Sequence, residues 1–439
     1  MNLPKSLLLG ALLTAHVFAE TVKDREGAVR GDKAAMENDA RWIYNDYKKG
    51  FERAKWEGKP LLVVLRCVPC LACAGMDASV LSEPELAPLL DRFVCVRLIN
   101  ANALDLSLFQ FDYDLSLSAI MFNGDGTVYG RYGSWTHQKS PADKTTTGFK
   151  KALETTLALH KGYPGNKADL AGKQGGALPF KDPLEAPELA MKYKRDLDWG
   201  GKVVQSCVHC HQIGDAIRSH YRSANQKIPT EWIYPMPAPD TIGITLATEE
   251  VARITAIAPN SPAARSGLKV GDQMVSLAGQ PLVSIADVSW VLHHTADASV
   301  LPVSIVRKGA VKKMELTLPT GWRAESDISR RVGTWPMRAM AFGGQLMEDL
   351  SDEDRAKRSL GKDGMALFVK HVGEYGIHAA AKKAGFRKED ILVEVDGLKG
   401  RTTESELIGY VLQRHGAGDK VKATVLRGTE RLELEMPVQ

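Results

Sequence analysis

The apolar residues of this chain fall into a few distinct patterns. Residues 6–19 form a nearly unbroken apolar run behind Lys5. Leu61-Leu62-Val63-Val64-Leu65, entered from Lys59-Pro60, is a continuous apolar block of strand length, which predicts a strand buried on both faces. Phe93-Val94-Cys95-Val96-Arg97-Leu98 reads as the next strand. Between them, Ser82-Glu83-Pro84-Glu85 is a capping box with proline in the first turn, so a helix is expected to start there. Residues 163–185, rich in Gly, Pro, Lys and Ala, read as a linker, and 187–198 as a helix. Beyond residue 300 the pattern alternates, with period-two segments at 303–307, 313–318, 422–427 and 431–436.

At 439 residues the chain is too long for one core, which points to three or more compact units. Its 57 basic and 53 acidic residues leave a net charge of +4, too even to argue for nucleic acid, and no basic block suggests a membrane surface. The N-terminal run is short, and Val17 and Ala19 satisfy the small-residue rule before a cut at Glu20. This predicts an exported protein, periplasmic or secreted, with no transmembrane span after cleavage; an uncleaved anchor is the alternative.

Five of the six cysteines cluster as Cys67, Cys70, Cys73 and Cys207, Cys210. Such spacing means redox or metal chemistry rather than a structural disulfide net. The first cluster sits between the apolar strand and the expected helix. A helix N-terminus lowers a thiol pKa, Arg66 adds a cation, and a second cysteine one turn on resolves a mixed disulfide. Two overlapping pairs compete, Cys67 with Cys70 and Cys70 with Cys73. Over residues from about 40 to 160 the chain resembles the thioredoxin-like family of short exported domains reading K-P-strand-C-x-x-C-helix-S-x-P-E. The resemblance implies Cys70 as nucleophile, Cys73 as resolver, and Cys67 as an extra partner at the strand end. Pro69, directly before Cys70, keeps the other pairing open. Phe122-Asn123-Gly124-Asp125-Gly126-Thr127-Val128-Tyr129 is similar to the final hairpin of that fold. Three features depart from the family: no proline at Leu117-Ser118 where its cis-proline falls, Val64 in place of a buried acid, and no tryptophan before the cysteines. These favour a narrow redox role, and a structural metal or static disulfide is the alternative. Cys95 reads as a small buried strand residue.

The second cluster is Cys207-Val208-His209-Cys210-His211, the C-x-x-C-H attachment signature of c-type haem. Over about 50 residues the segment resembles a cytochrome c attachment helix. That implies thioether bonds from Cys207 and Cys210, His211 as iron ligand, and Met236 as distal ligand, with Met191, His209 and His220 as alternatives. A zinc site built from Cys207, His209, Cys210 and His211, or a second dithiol, competes with haem.

The C-terminal part repeats itself. Ser261-Pro262-Ala263-Ala264-Arg265-Ser266-Gly267-Leu268-Lys269-Val270-Gly271-Asp272 returns as Ala379-Ala380-Ala381-Lys382-Lys383-Ala384-Gly385-Phe386-Arg387-Lys388-Glu389-Asp390, each followed by alternating strands. This resembles bacterial PDZ domains, which implies that each copy binds an extended peptide and captures its C-terminal carboxylate on loop amides. The matching loops are Ile242-Gly243-Ile244 and Phe342-Gly343-Gly344, with groove helices at 285–293 and 404–413. A scaffold-only pair is the alternative. Bacterial PDZ copies often accompany serine proteases, but this chain has no G-x-S-x-G elbow.

The expected architecture is multidomain α/β and α+β: a signal peptide (1–19), a thioredoxin-like α/β domain (20–162), a linker with a short helical C-x-x-C-H segment (163–237), and two PDZ-like partly open β-barrels (238–321 and 322–439). The expected activity is thiol-disulfide redox chemistry, with protein or peptide C-termini as partners, a candidate haem c and no other cofactor. A non-catalytic adaptor with structural cysteines and a haem c electron carrier are the alternatives.

Overall fold

The computed structural model describes residues 24–68, 83–134 and 145–439. The expected signal segment, Cys70, Cys73 and Ser82 lie outside the described residues. In the N-terminal unit, β1 (Trp42–Tyr44), β2 (Leu61–Arg66), β3 (Val94–Leu98), β4 (Leu117–Phe122) and β5 (Val128–Tyr132) form one sheet in the order β1-β3-β2-β4-β5. β1 and β2 run parallel to β3, while β4 and β5 are antiparallel. The unbroken apolar run of β2 is explained by its central place. Leu61, Val63 and Leu65 enter one core, and Leu62 and Val64 another on the opposite face.

α1 (Arg25–Met36), α2 (Tyr47–Glu57) and α3 (Thr146–Lys161) flank this sheet, each started by a side-chain cap from Asp24, Asp46 and Thr145 respectively. The helix expected near Pro84 is only a 3-10 turn, Pro84–Leu86, running into Ala87–Leu90.

Two sequence expectations need correcting here. Segment 163–185 is not a loose linker, because Leu170 and Lys173 are buried in it. The helix expected over 187–198 stops after Pro187–Ala190. The carbonyls of Lys194 and Arg195 accept instead from the side chains of Asn102 and Asn100, 2.6 and 3.1 Å away. α4 (Cys210–Ser223) follows the second cysteine cluster.

The first repeat contains β6 (Ile244–Leu246), β7 (Ile254–Ile257), β8 (Gln273–Leu277), β9 (Gln280–Pro281), β10 (Ser299–Arg307) and β11 (Ala310–Leu318), with α5 (Ile285–His293). These strands make a two-stranded sheet, β6-β7, and a four-stranded one, β11-β10-β8-β9. The second repeat opens with α6 (Thr334–Phe342). It continues through β12 (Gln345–Asp349), β13 (Leu367–Val372), β14 (Ile391–Val395), α7 (Glu404–Arg414), β15 (Lys420–Arg427) and β16 (Glu430–Pro437) in a five-stranded sheet. No sheet among the described residues is closed into a barrel. In both copies the repeated aspartate, Asp272 or Asp390, accepts a forked bond from the arginine ending the alternating strand, Arg307 or Arg427.

The units are bolted together by buried charge. Lys173 is 2.9 Å from Asp287 of α5, and both are fully enclosed. Arg131 of β5 lies 3.4 Å from the ring of Trp290 on α5. Arg331, between the repeats, spans Asp112 and Asp114 of the N-terminal unit, with its Nε 2.9 Å from Asp114. Arg331→Met is expected to lower the unfolding free energy by roughly 3–5 kcal/mol, the cost of stranding buried partners of a removed charge. Urea denaturation measures this, and a loss under about 1 kcal/mol contradicts the bridge.

His293 gives a pH prediction. It is buried, and its Nδ1 accepts from the Met236 N–H at 3.4 Å. Burial, with His294 and Arg323 nearby, presses its pKa well below the usual 6.5. The unfolded chain therefore takes up a proton on acidification before the folded one does. Stability present above about pH 6.5 is lost as the pH falls below it. Thermal melts between pH 7 and 5 are expected to show this loss, and His293→Phe to reduce the slope.

Candidate functional site

Cys67 of the first cysteine cluster and Cys207 and Cys210 of the second, remote in sequence, line one cleft. Cys67 and Val68, just past β2, line one of its walls, and Val204, Cys207, His209 and Cys210 line another. Leu98, Ile99 and Leu104 add apolar surface, and the cleft is narrow, with a cavity of about 40 Å³. The Cys67 Sγ lies 3.7 Å from His209 Nδ1.

The seating of the C-x-x-C-H turn is set by one side chain. Asn102 is fully buried just beyond β3. Its Nδ2 donates to the carbonyls of Ser206 (2.8 Å) and Lys194 (2.6 Å), and its Oδ1 accepts from Val208 N–H (2.7 Å). Glu26 of α1 adds a second clamp, accepting from the N–H groups of Val203 and Val204 at 3.1 Å. Asp32 of α1 pairs with Arg66 at 2.7 Å and with Arg97 at 3.6 Å, and accepts from the Tyr44 hydroxyl. Arg66, expected as a cation for the thiols, is thus turned to a carboxylate. Nothing in the sequence marks Asn102, Glu26 or Asp32, because their partners are backbone groups or charges remote in sequence.

Burial sets the electrostatics. It pushes the Cys207 thiol up to about 11, and the Cys207 Sγ–H donates to the Ile99 carbonyl at 3.3 Å. Burial, then the neighbouring Cys207 and Cys67, pushes Cys210 up as well. Burial and His211 press His209 down to about 4, so its ring is neutral at pH 7. In this arrangement Cys207 and Cys210 are protonated thiols, not the low-pKa nucleophiles of an exposed redox pair. Cys95 is buried and pushed up to about 12, in keeping with a strand residue.

His211 sits in the first turn of α4. Its Nδ1 is 3.3 Å from Asp215 Oδ2, and with Nδ1–H donating to that carboxylate Nε2 keeps the lone pair that a metal-binding imidazole uses. Two thiols followed directly by an imidazole are the donor set of a c-type haem attachment, but His211 does not line the cleft that Cys207 and Cys210 share with Cys67. Met236 does not complete the set. Its side chain is buried in the core of the first repeat, and it lines another pocket with Trp232 and His293. Of the alternatives, Met191 is 85% exposed and His220 packs edge-on against Phe180. Among the described residues no group of three or more His, Cys, Asp or Glu side chains is placed to hold a metal ion, so the four-residue zinc site is not assembled.

At the position of the missing cis-proline, Leu117 and Ser118 are ordinary β4 residues paired with Arg66 and Leu65. The preceding Ser116 carbonyl accepts from the Cys67 N–H at 2.9 Å.

The repeat loops turn alike. Gly243 and Gly343 both have positive φ, 82° and 64°, and their carbonyls accept from Ala258 and Ala381. Ile242 and Ile244 are buried beside Gly243. In the second copy Gly343 N–H donates to Ala339 O and Gly344 N–H to Arg338 O, both at 3.0 Å. These amides close the end of α6, as the Gly243 N–H closes the Pro239–Ile242 turn of the first copy by donating to Asp240 O at 2.9 Å.

A thioredoxin-like family model matches residues 42–123, and a PDZ domain model matches 241–318 and 375–438. The chain carries one thioredoxin-like domain and two PDZ domains. It is similar to a probable periplasmic serine endoprotease DegP-like of Pseudomonas putida F1, 29% identical over 143 residues, covering 32% of this chain and 28% of that protein. It is also similar to the periplasmic pH-dependent serine endoprotease DegQ of Escherichia coli K12, 24% identical, covering 44% of this chain and 37% of that protein. The chain thus spans little more than a third of these curated relatives at most. A serine endoprotease structure from Yersinia pestis matches at 25% identity over 18% of this chain and 28% of that one, with a TM-score of 0.17 that carries no argument. Among the described residues no helix is long and apolar enough to cross a membrane.

Asn102→Leu removes the clamp between the thioredoxin-like domain and the C-x-x-C-H turn. Each stranded buried group costs about 1–3 kcal/mol. The variant is expected to lose several-fold protection of Cys207 and Cys210 against maleimide, measured by mass spectrometry. Unchanged labelling contradicts the clamp.

Proposed function

We propose that the protein is an exported thiol-disulfide redox protein whose PDZ modules recruit a protein or peptide partner. Its cysteine chemistry runs in the cleft shared by the thioredoxin-like domain and the C-x-x-C-H turn. The observation that carries this reading is the convergence of Cys67 with Cys207 and Cys210 on one apolar cleft. Unrelated structural cysteines remote in sequence have no reason to line one cleft.

In this reading Cys70 attacks a substrate disulfide and Cys73 resolves the mixed disulfide, with Cys67 as the third thiol of the cluster. PDZ domains suggest peptide binding, and protein C-termini are the proposed ligands. Relatives named as periplasmic support export. Cys207, Cys210 and His211 would hold a haem c, which when bound supplies one-electron transfer beside the thiols. Asp215 orients His211.

Two measurements test this. Incubated with glutathione disulfide, the Cys73→Ser variant is expected to trap a mixed disulfide on Cys70, seen by mass spectrometry and absent in Cys70→Ser. If Cys70 forms no adduct, the redox reading gives way to a non-catalytic adaptor. After export alongside haem-attachment machinery, a Soret band lost in Cys207→Ala supports the haem, and absence of the band removes it.

A further inference from the structure

The second PDZ domain has an element the first lacks. In the first, the chain enters the Ile242-Gly243-Ile244 loop from a four-residue turn, Pro239–Ile242. In the second it enters from the nine-residue helix α6. α6 touches both β12 and α7, the two walls between which a PDZ domain takes its peptide. Met337, Ala341 and Phe342 of α6 are fully buried and belong to the same extended apolar core as Met347 of β12 and Leu407, Ile408 and Val411 of α7, a core that also runs into the thioredoxin-like domain.

The polar groups tell the same story. β12 is an edge strand, paired only with β13, so its other edge is where a peptide strand would add. On that edge the Met347 N–H donates to Glu404 Oε1 of α7 at 2.8 Å. The same carboxylate takes both fork bonds of Arg338 from α6, Nε at 2.9 Å and Nη2 at 2.6 Å. Arg338 and Glu404 are both buried. A peptide strand would have to break the Met347 bond and displace a buried ion pair, which the first copy does not place on its loop strand.

We infer that α6 is the built-in occupant of the second PDZ slot, so that this copy grips its own chain and takes an outside peptide only when α6 leaves. This does not depend on the thiol chemistry. It assigns outside-peptide binding by the seated protein to sites other than β12.

Hydrogen exchange on the full chain, read by NMR or by fragmentation mass spectrometry, tests it. The probe is a pool of random decapeptides with free C-terminal carboxylates. In the native chain the Met347, Gly343 and Gly344 amides are expected to exchange at least 100-fold slower than exposed edge amides, with no change when the pool is added. In Met337→Asp, which unseats α6, they are expected to speed up, and the pool to slow them again. Glu404→Gln, milder and retaining an acceptor, serves if Met337→Asp does not fold, with the same two readings expected at smaller amplitude. Fast exchange at Met347 in the native chain, or slowing of these amides by the pool there, overturns the occupancy. Failure of the pool to protect either variant overturns the claim that the slot is a receptor at all.

Discussion

The arrangement of this molecule depends on a buried amide. Asn102 has no water to satisfy it, so its two donors and its acceptor must find protein partners or cost several kcal/mol. It finds all three on the chain around the C-x-x-C-H turn. That requirement holds a segment more than 90 residues downstream against the end of β3 and places Cys207 and Cys210 opposite Cys67. The cleft between them exists because the turn is held there by its backbone, which leaves the apolar side chains to form the walls.

The same logic recurs at the other junctions. Lys173 with Asp287, and Arg331 with Asp112 and Asp114, are charges taken out of water where the repeats meet the thioredoxin-like domain. Such pairs are weak sources of net stability but strong sources of register, since an offset by one residue strands a charge. The two PDZ domains are therefore fixed relative to the thiol cleft. The first presents α5 to β5 through Arg131 and Trp290, and the second folds around α6.

Local patterns made the sheets readable in advance. The apolar block at 61–65 has to be a central strand because both of its faces are covered, and the repeated glycine-aspartate string has to turn the same way twice. The segment 163–185 misled because glycine, proline and lysine are loop residues in general, and Lys173 is buried here only because Asp287 waits for it. Met236 misled because chain distance from His211 says nothing about which core takes the side chain. The Phe342 loop carries a helix that its glycine pair does not announce, since the pair alone does not show that α6 ends on it. The cleft itself was out of reach, since its seating rests on Asn102, a residue with no local signature.

The shared cleft is the central claim, and a short thiol-to-thiol cross-linker reads it directly. Dibromobimane added to the reduced protein with Cys70→Ser and Cys73→Ser should join Cys67 to Cys207 or Cys210, giving a fluorescent product whose peptides span both clusters. Bridging confined to Cys207 with Cys210, with Cys67 modified singly, would mean that the two clusters do not face each other.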